Sequence, residues 1–229
     1  MPTKEIILIC SKEEWKIFKT IIRLYTSLRK YPYGEYLSFC KKNKEYYAFN
    51  TGAGKILSGG AAQYIIDKYK PNRIFLIGCA GAISQRLNLQ DIVIGDKFVQ
   101  YDYTECMGME NEFYNKDTFI KYKPNVKFNK NTIEDVKTGL IASADTDVDN
   151  KTRRKLTSSN YKKKEILCGD WESFSVAKVC KLNKTNCIIV RGISDIPKHT
   201  RKGFIQKNEY RNNIKPVLQK CLKVIYSII

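Results

Sequence analysis

Apolar residues along the chain gather into short, near-continuous runs separated by stretches of helical spacing. Runs at Glu5–Cys10, Tyr46–Asn50, Arg73–Gly78, Asp91–Asp102, Thr138–Ser143, Glu165–Gly169 and Cys187–Arg191 predict strands. Most lack the strict alternation of a strand with one wet face, so they are read as strands covered by helices on both sides. Apolar residues recurring at helical spacing, as with Ala62, Ile65, Ile66 and Tyr69, predict helices over Lys12–Tyr25, Ile56–Lys68, Glu172–Leu182 and Asn213–Ile228. Pro216 then falls in the first turn of the last helix, where its missing N–H costs nothing. Pro71 and Asn72 break the chain before the Arg73 strand, and the polar stretch Glu105–Glu134 reads as a long irregular excursion. Strands alternating with helices predict an α/β layered fold with a central sheet. No repeat, linker or composition shift marks a second domain, so residues 1–229 are expected to form one.

Composition narrows the classes. Hydrophobic residues make up 43% and charged residues 28% of the 229, as in a soluble globular chain. The apolar run near the N-terminus is about five residues, too short for a signal sequence or a bilayer span, so a cytoplasmic protein with no membrane partner is expected. Eight cysteines are scattered without a C-x-x-C pair and read as reduced, buried thiols. A single histidine, His199, leaves little for a histidine metal site or a Ser-His-Asp triad, so chemistry without metal or cofactor is expected. The formal charge of +18 is densest over Lys151–Lys164. Its lysines are otherwise spread over the whole chain with no nucleic-acid motif beside them, and they read as a solvated surface, not a nucleic-acid partner site.

Several strand ends carry residues suited to chemistry. Ser11-Lys-Glu-Glu14 follows the first strand at its carboxyl end, where open α/β sheets place ligands, although Ser11 as a helix cap and acids in a first turn explain the same residues. Thr51-Gly-Ala-Gly-Lys55 and Gly78-Cys-Ala-Gly81 are small-residue turns that would let backbone approach a ligand, and neither has the spacing of a Walker loop. Gly169-Asp-Trp-Glu-Ser173 and Arg191-Gly-Ile-Ser-Asp195 each set a carboxylate just beyond a buried strand. An acid so close to a core is costly unless paired, functional or used as a cap.

In order and spacing these segments, together with Asp91-Ile-Val-Ile-Gly95, resemble the methylthioadenosine/S-adenosylhomocysteine nucleosidases of the nucleoside phosphorylase and nucleosidase superfamily. The resemblance implies a three-layer α/β/α domain with a mixed central sheet of the phosphorylase/hydrolase type. It also implies hydrolysis of the N-glycosidic bond of a purine nucleoside, with Asp195 protonating the base, Glu14 activating water and Glu172 holding the ribose hydroxyls. Gly54, Gly78, Cys79, Ser194 and Val148 would line the pocket, with Cys79 in place of the family's usual serine. Trp171 stands where a methionine usually packs under the ribose, and core packing explains it as well. A homodimer is implied too, with Tyr101-Asp-Tyr-Thr-Glu105 near the partner.

Asp147 departs most from that pattern, because it falls where the nucleosidases place a phenylalanine that stacks on adenine. An aspartate cannot stack but can accept hydrogen bonds from a base N–H, as can Asp145, and Phe204 or Tyr210 could supply an aromatic face. The anion-binding Gly-x-Pro-x-Arg pattern and the arginine before the Gly78 turn, both usual in the hexameric phosphorylases, are missing. Water is therefore the expected acceptor, with a phosphate-dependent phosphorylase using Lys12 or Lys55 as the alternative. A noncatalytic nucleoside- or nucleic-acid-binding module is a second alternative.

Overall fold

Five successive buried residues, Glu5–Ile9, form the strand β1, and its side chains divide between two cores. Ile6 and Leu8 point into one, Ile7 and Ile9 into the other. The computed structural model describes residues 5–22, 25, 27–103, 118–122, 124, 136–158, 165–197 and 204–228. Strands β2 (Arg29–Tyr31), β3 (Gly34–Lys41), β4 (Lys44–Asn50), β5 (Arg73–Ala82), β6 (Ile92–Gln100), β7 (Phe119–Lys121), β8 (Val136–Ser143), β9 (Ile166–Asp170) and β10 (Asn186–Asp195) join β1 in one mixed sheet. The helices are α1 (Lys12–Ile21), α2 (Lys55–Tyr69), α3 (Asn150–Ser158), α4 (Ser173–Leu182) and α5 (Phe204–Tyr226).

The two-sided burial has a direct structural cause. In β5 and β10, as in β1, alternate residues feed opposite cores: Ile74, Leu76, Cys187 and Ile189 on one face, Phe75, Ile77, Ile188 and Val190 on the other. The first core is roofed by Ala62, Ile65 and Ile66 of α2 with Phe174, Ala177 and Cys180 of α4. The second is roofed by Trp15 and Phe18 of α1 with Val217, Leu218 and Cys221 of α5. The layers are thus helix, sheet, helix, as the sequence predicts.

Sheet order is β2-β3-β4-β1-β5, after which the strands close on themselves. β5 pairs with β9 on one side and β10 on the other, and β9-β8-β6-β10 completes the ring. A small third core of Ile83, Val99, Leu140, Ala142, Val148 and Leu156 packs against α3.

Several boundaries differ from the sequence reading. β5 and β10 run on as a parallel pair through Arg191↔Gly78, Gly192↔Cys79 and Asp195↔Gly81, so Gly78–Gly81 is paired strand, not a turn, and Asp195 is the last strand residue, not one beyond it. α1 ends at Ile21, short of Tyr25, and α5 begins at Phe204, well before Asn213, which leaves Pro216 inside the helix. The carbonyl four residues back belongs to exposed Asn212, so solvent can take the place of the missing N–H. β2, β3 and α3 arise where polar residues hide the pattern, α3 within the basic run itself. β7 lies in the stretch read as irregular, the rest of which is mostly outside the described residues. Of the cysteines, Cys40 is exposed, whereas Cys10, Cys79, Cys168, Cys180, Cys187 and Cys221 are free and buried.

Helix α5 closes against β10 only because residue 192 has no side chain. A Cβ there would lie 2.5 Å from Cγ1 of Val217. Gly192→Val should therefore lower stability by about 1–3 kcal/mol through overpacking, read from the urea midpoint. A midpoint equal to that of the native protein would mean that α5 does not pack as described.

Candidate active site

Arg191 lies mid-sheet in β10 with only 1% of its surface exposed. A buried guanidinium is stable only with its countercharges and donors satisfied. Its Nε is 2.6 Å from Oδ2 of Asp170 and donates to Ser173 Oγ at 3.0 Å, while Nη2 donates to Glu172 Oε2 at 3.1 Å. Nη1 reaches toward Gly78, where a Cβ would sit 2.5 Å from it and 2.9 Å from Oε2 of Glu14. Glycine at 78 is thus what allows Arg191 and Glu14 to approach the same point of β5.

Asp170 is fully engaged. Its Oδ1 accepts from Ser143 Oγ at 2.6 Å and from the N–H groups of Glu172 and Ser173 at 3.2 and 3.1 Å, where the chain enters α4, and Ser173 Oγ donates to its Oδ2. That leaves Glu172 as the acid of this pair that faces the glycine turn. Its Oε1 accepts from the Gly54 N–H at 3.1 Å, and Gly54 takes the left-handed φ of +88° that glycine favours. Burial raises the proton affinity of Glu172, and Arg191 opposes that rise.

Glu14 enters from the other side of the sheet. Ser11 Oγ caps α1 by accepting the Glu14 N–H at 3.2 Å, and Glu14 Oε1 accepts the Cys79 N–H at 2.7 Å. The capping reading and the site reading of Ser11–Glu14 are therefore both met by one geometry. Glu14 is 4% exposed, and its carboxyl is held above its ordinary range by burial, against the pull of Arg191 and the Cys79 N–H. Burial and the adjacent Glu14 also push the Cys79 thiol well up, so it stays protonated and is no thiolate nucleophile.

Asp195 lies two rungs further along β5. A Cβ on Gly81 would be 3.3 Å from its Oδ2. Ser194 Oγ donates to Oδ1 at 2.6 Å, and Gln206 Nε2 donates to Oδ2 at 2.7 Å. Burial raises its proton affinity, Ser194 and Gln206 lower it, and Glu209 and Asp147 raise it again. The segment Gly78–Gly81 therefore carries Glu14 at one end and Asp195 at the other, with Glu172 joined to the first through Arg191.

The remaining candidates scatter around this core. Val148 is buried against Gly81 and Gly169, while its neighbour Asp147 is exposed. Trp171 is 38% exposed and so is not a core residue. Asp145 accepts the Lys55 N–H at 2.9 Å and pairs with Lys55 Nζ at 3.4 Å, and Lys55 Nζ also pairs with Asp102. Tyr210 lies with its hydroxyl 3.2 Å from Ser11 Oγ. The side chain of Phe204, and His199, Thr104 and Glu105 altogether, lie outside the described residues. Sequence reasoning passed over the buried role of Arg191, although a lone cation ending the run Cys187-Ile-Ile-Val190 was a usable signal. It also passed over Gln206, for which a polar residue ahead of the expected helix gave none.

Two outcomes follow from these environments. Arg191→Met should cost about 3–5 kcal/mol, because it strands buried carboxylates without their countercharge; a change below 1 kcal/mol in urea unfolding would contradict the ion cluster. An acid with raised proton affinity in the fold adds stability below its unfolded pKa and loses that contribution as pH rises through its folded value. Asp195→Asn never ionises, so its thermal midpoint should gain on that of the native protein as pH rises from about 4. A gap that stays constant or shrinks with pH would count against the buried environment.

A family model described as the phosphorylase superfamily matches residues 5–229. The 5'-methylthioadenosine/S-adenosylhomocysteine nucleosidase of Thermotoga maritima is 29% identical over 175 residues, covering 74% of this chain and 77% of that protein. The enzyme of the same name from Buchnera aphidicola is 29% identical over 223 residues, 93% of each. A crystal structure of the Helicobacter pylori 5'-methylthioadenosine/S-adenosylhomocysteine nucleosidase with butyl-thio-DADMe-Immucillin-A superposes with a TM-score of 0.81 at 19% identity, over 99% of both chains. With the family matched over nearly its whole length, and with the three-layer mixed sheet in place, this chain belongs to the phosphorylase superfamily.

Proposed function

We propose that this chain hydrolyses the N-glycosidic bond of a purine nucleoside of the methylthioadenosine or S-adenosylhomocysteine kind, releasing the base and the ribose moiety. The observation that carries the reading is that three buried carboxylates meet one stretch of β5 and β10: Glu14 on the Cys79 N–H, Glu172 on Arg191, and Asp195 opposite Gly81. It is supported by the names of the relatives, which are nucleosidases.

Breaking the bond leaves electron-rich base and electron-poor ribose, so the chemistry needs an acid at the base, a base for water and a clamp on the sugar. Asp195 gives its proton to a ring nitrogen of the purine as the glycosidic electron pair moves onto the base. Glu14 takes a proton from the water whose oxygen bonds to the anomeric carbon, and Glu172 accepts hydrogen bonds from the ribose hydroxyls. The Gly54 turn, Gly78, Cys79, Val148 and Ser194 line the pocket, Trp171 flanks the sugar, and Asp147 faces a base N–H.

The phosphorylase alternative needs cations free to hold phosphate. Of the two lysines that alternative would use, Lys55 is already paired with Asp102 and Asp145, which favours water as acceptor, and Lys12 is exposed at the start of α1; Arg191 is held by Asp170 and Glu172. No helix among the described residues is long and apolar enough to cross a membrane. We place the protein in the cytoplasm as a single domain that pairs as a homodimer. Ile56 and Leu57, 85% and 45% exposed in the first turn of α2 beside the site, offer apolar area for that pairing.

Incubation with methylthioadenosine, S-adenosylhomocysteine, adenosine, inosine and guanosine, with and without phosphate, should yield free base and free sugar product in the absence of phosphate. Glu14→Gln and Asp195→Asn should each reduce turnover by about 10²–10⁴-fold. Strict phosphate dependence with a ribose 1-phosphate product would overturn the hydrolytic reading, and full activity in either variant would overturn the assignment of roles.

A further inference from the structure

Helix α5 meets the end of β10 through three side chains on one face. Gln206 donates to Asp195, Glu209 Oε2 accepts the Ile196 N–H at 3.2 Å, and Asn213 Nδ2 donates to the Ser194 carbonyl at 3.1 Å. Their spacing of three and four residues is that of a helix face. Asn213 and Glu209 grip backbone on both sides of Asp195, so the helix stays docked whatever residue 206 is. Of the three α5 side chains, Gln206 is the one that hydrogen-bonds the carboxyl group, whose other oxygen accepts from Ser194.

The second proton of the same nitrogen is also committed. Gln206 Nε2 donates to the Val148 carbonyl at 3.1 Å as well as to Asp195 Oδ2 at 2.7 Å. The Val148 carbonyl is an acceptor only, so the amide orientation is fixed: the nitrogen, not the oxygen, must face it. Gln206 thereby ties the carboxyl to the Asp147–Val148 segment.

We propose that Gln206 is a positioning residue for Asp195, holding Oδ2 toward the base pocket and stabilising the carboxylate that remains once the proton has left. The inference rests on the proposed role of Asp195 as the acid. When the proton passes to the base, negative charge appears on Asp195, and the hydrogen bonds from Gln206 and Ser194 strengthen as it does. Before transfer, burial together with Glu209 and Asp147 favours the protonated form, and Gln206 and Ser194 pull the other way. Gln206 therefore acts on the step at which charge develops, more than on substrate capture.

The test uses Gln206→Ala and the near-isosteric Gln206→Glu in the full chain, with methylthioadenosine as probe. Gln206→Ala should lower kcat by about 10- to 100-fold, the span of a hydrogen bond to a charged group, with KM changed by less than about threefold. The high-pH limb of its kcat profile should move to higher pH, since losing a donor raises the proton affinity of Asp195. Gln206→Glu should move that limb further still, because it sets a second acid against the first. Unshifted limbs in both variants, with circular dichroism and thermal midpoint like those of the native protein, overturn the inference. Loss of kcat without a limb shift in a variant of lowered midpoint also does so, because it assigns Gln206 a purely structural role. Asp195→Asn separates the two levels: full activity there sinks the acid assignment itself, while an inactive Asp195→Asn beside unshifted Gln206 variants sinks only the role of Gln206.

Discussion

Taking a guanidinium to 1% exposure in the middle of a sheet is unfavourable by several kcal/mol unless its partners are already in place. The rest of the site is arranged to meet that condition. Asp170 and Ser173, at the junction of β9 and α4, satisfy Nε, Glu172 satisfies Nη2, and Gly78 leaves the space into which Nη1 projects. Each of these residues is then fixed for a second reason. Asp170 binds the N–H groups at the entry to α4, Glu172 reaches across to the Gly54 N–H and so docks the turn before α2, and Gly78 admits Glu14 from α1. One ion cluster thus couples the starts of three helices to one strand.

The parallel register of β5 and β10 converts that coupling into spacing. Arg191 opposes Gly78, and Asp195 opposes Gly81. Side chains placed on paired strands are held more closely than on loops, and a catalytic arrangement tolerates little misplacement. The closure of the sheet from β5 through β9, β8 and β6 back to β10 removes a free edge next to this register and braces it on both sides.

Layering and the main strands were legible because buried parallel strands read as apolar runs, and the helices because α2, α4 and the second half of α5 keep their spacing. What escaped did so for physical reasons. Gly78–Gly81 and Arg191–Asp195 contain glycines and charges that signal turns, yet tertiary pairing holds them as strand. In the first turns of α5, Tyr210 packs against the second core, but Gln206, Glu209 and Asn213 contact the Ser194–Ile196 backbone and the Asp195 carboxyl, so periodicity had little to find there. At the site, Glu14, Glu172 and Asp195 could be singled out from their places at strand ends. Partners from distant sequence, such as Gly54 for Glu172 or Asp102 for Lys55, become visible only once the chain has folded.

The three acids share one tendency and differ in one partner, and the difference is what permits a division of labour. Burial raises the proton affinity of all three. Arg191 acts against that rise at Glu14 and Glu172, whereas at Asp195 only the neutral donors Ser194 and Gln206 oppose it and Glu209 and Asp147 reinforce it. The two carboxyls beside the guanidinium have a fixed countercharge for their ionised form, although burial, with Asp170 and Glu14 adding to it, still pushes Glu172 up to about 7. The one placed away from it, among other acids, is suited to keep a proton and to release it to a departing base. The distance along β5 between Gly78 and Gly81 is therefore also the distance between two electrostatic regimes, and a nucleoside lying across them would meet its base at one and its sugar at the other.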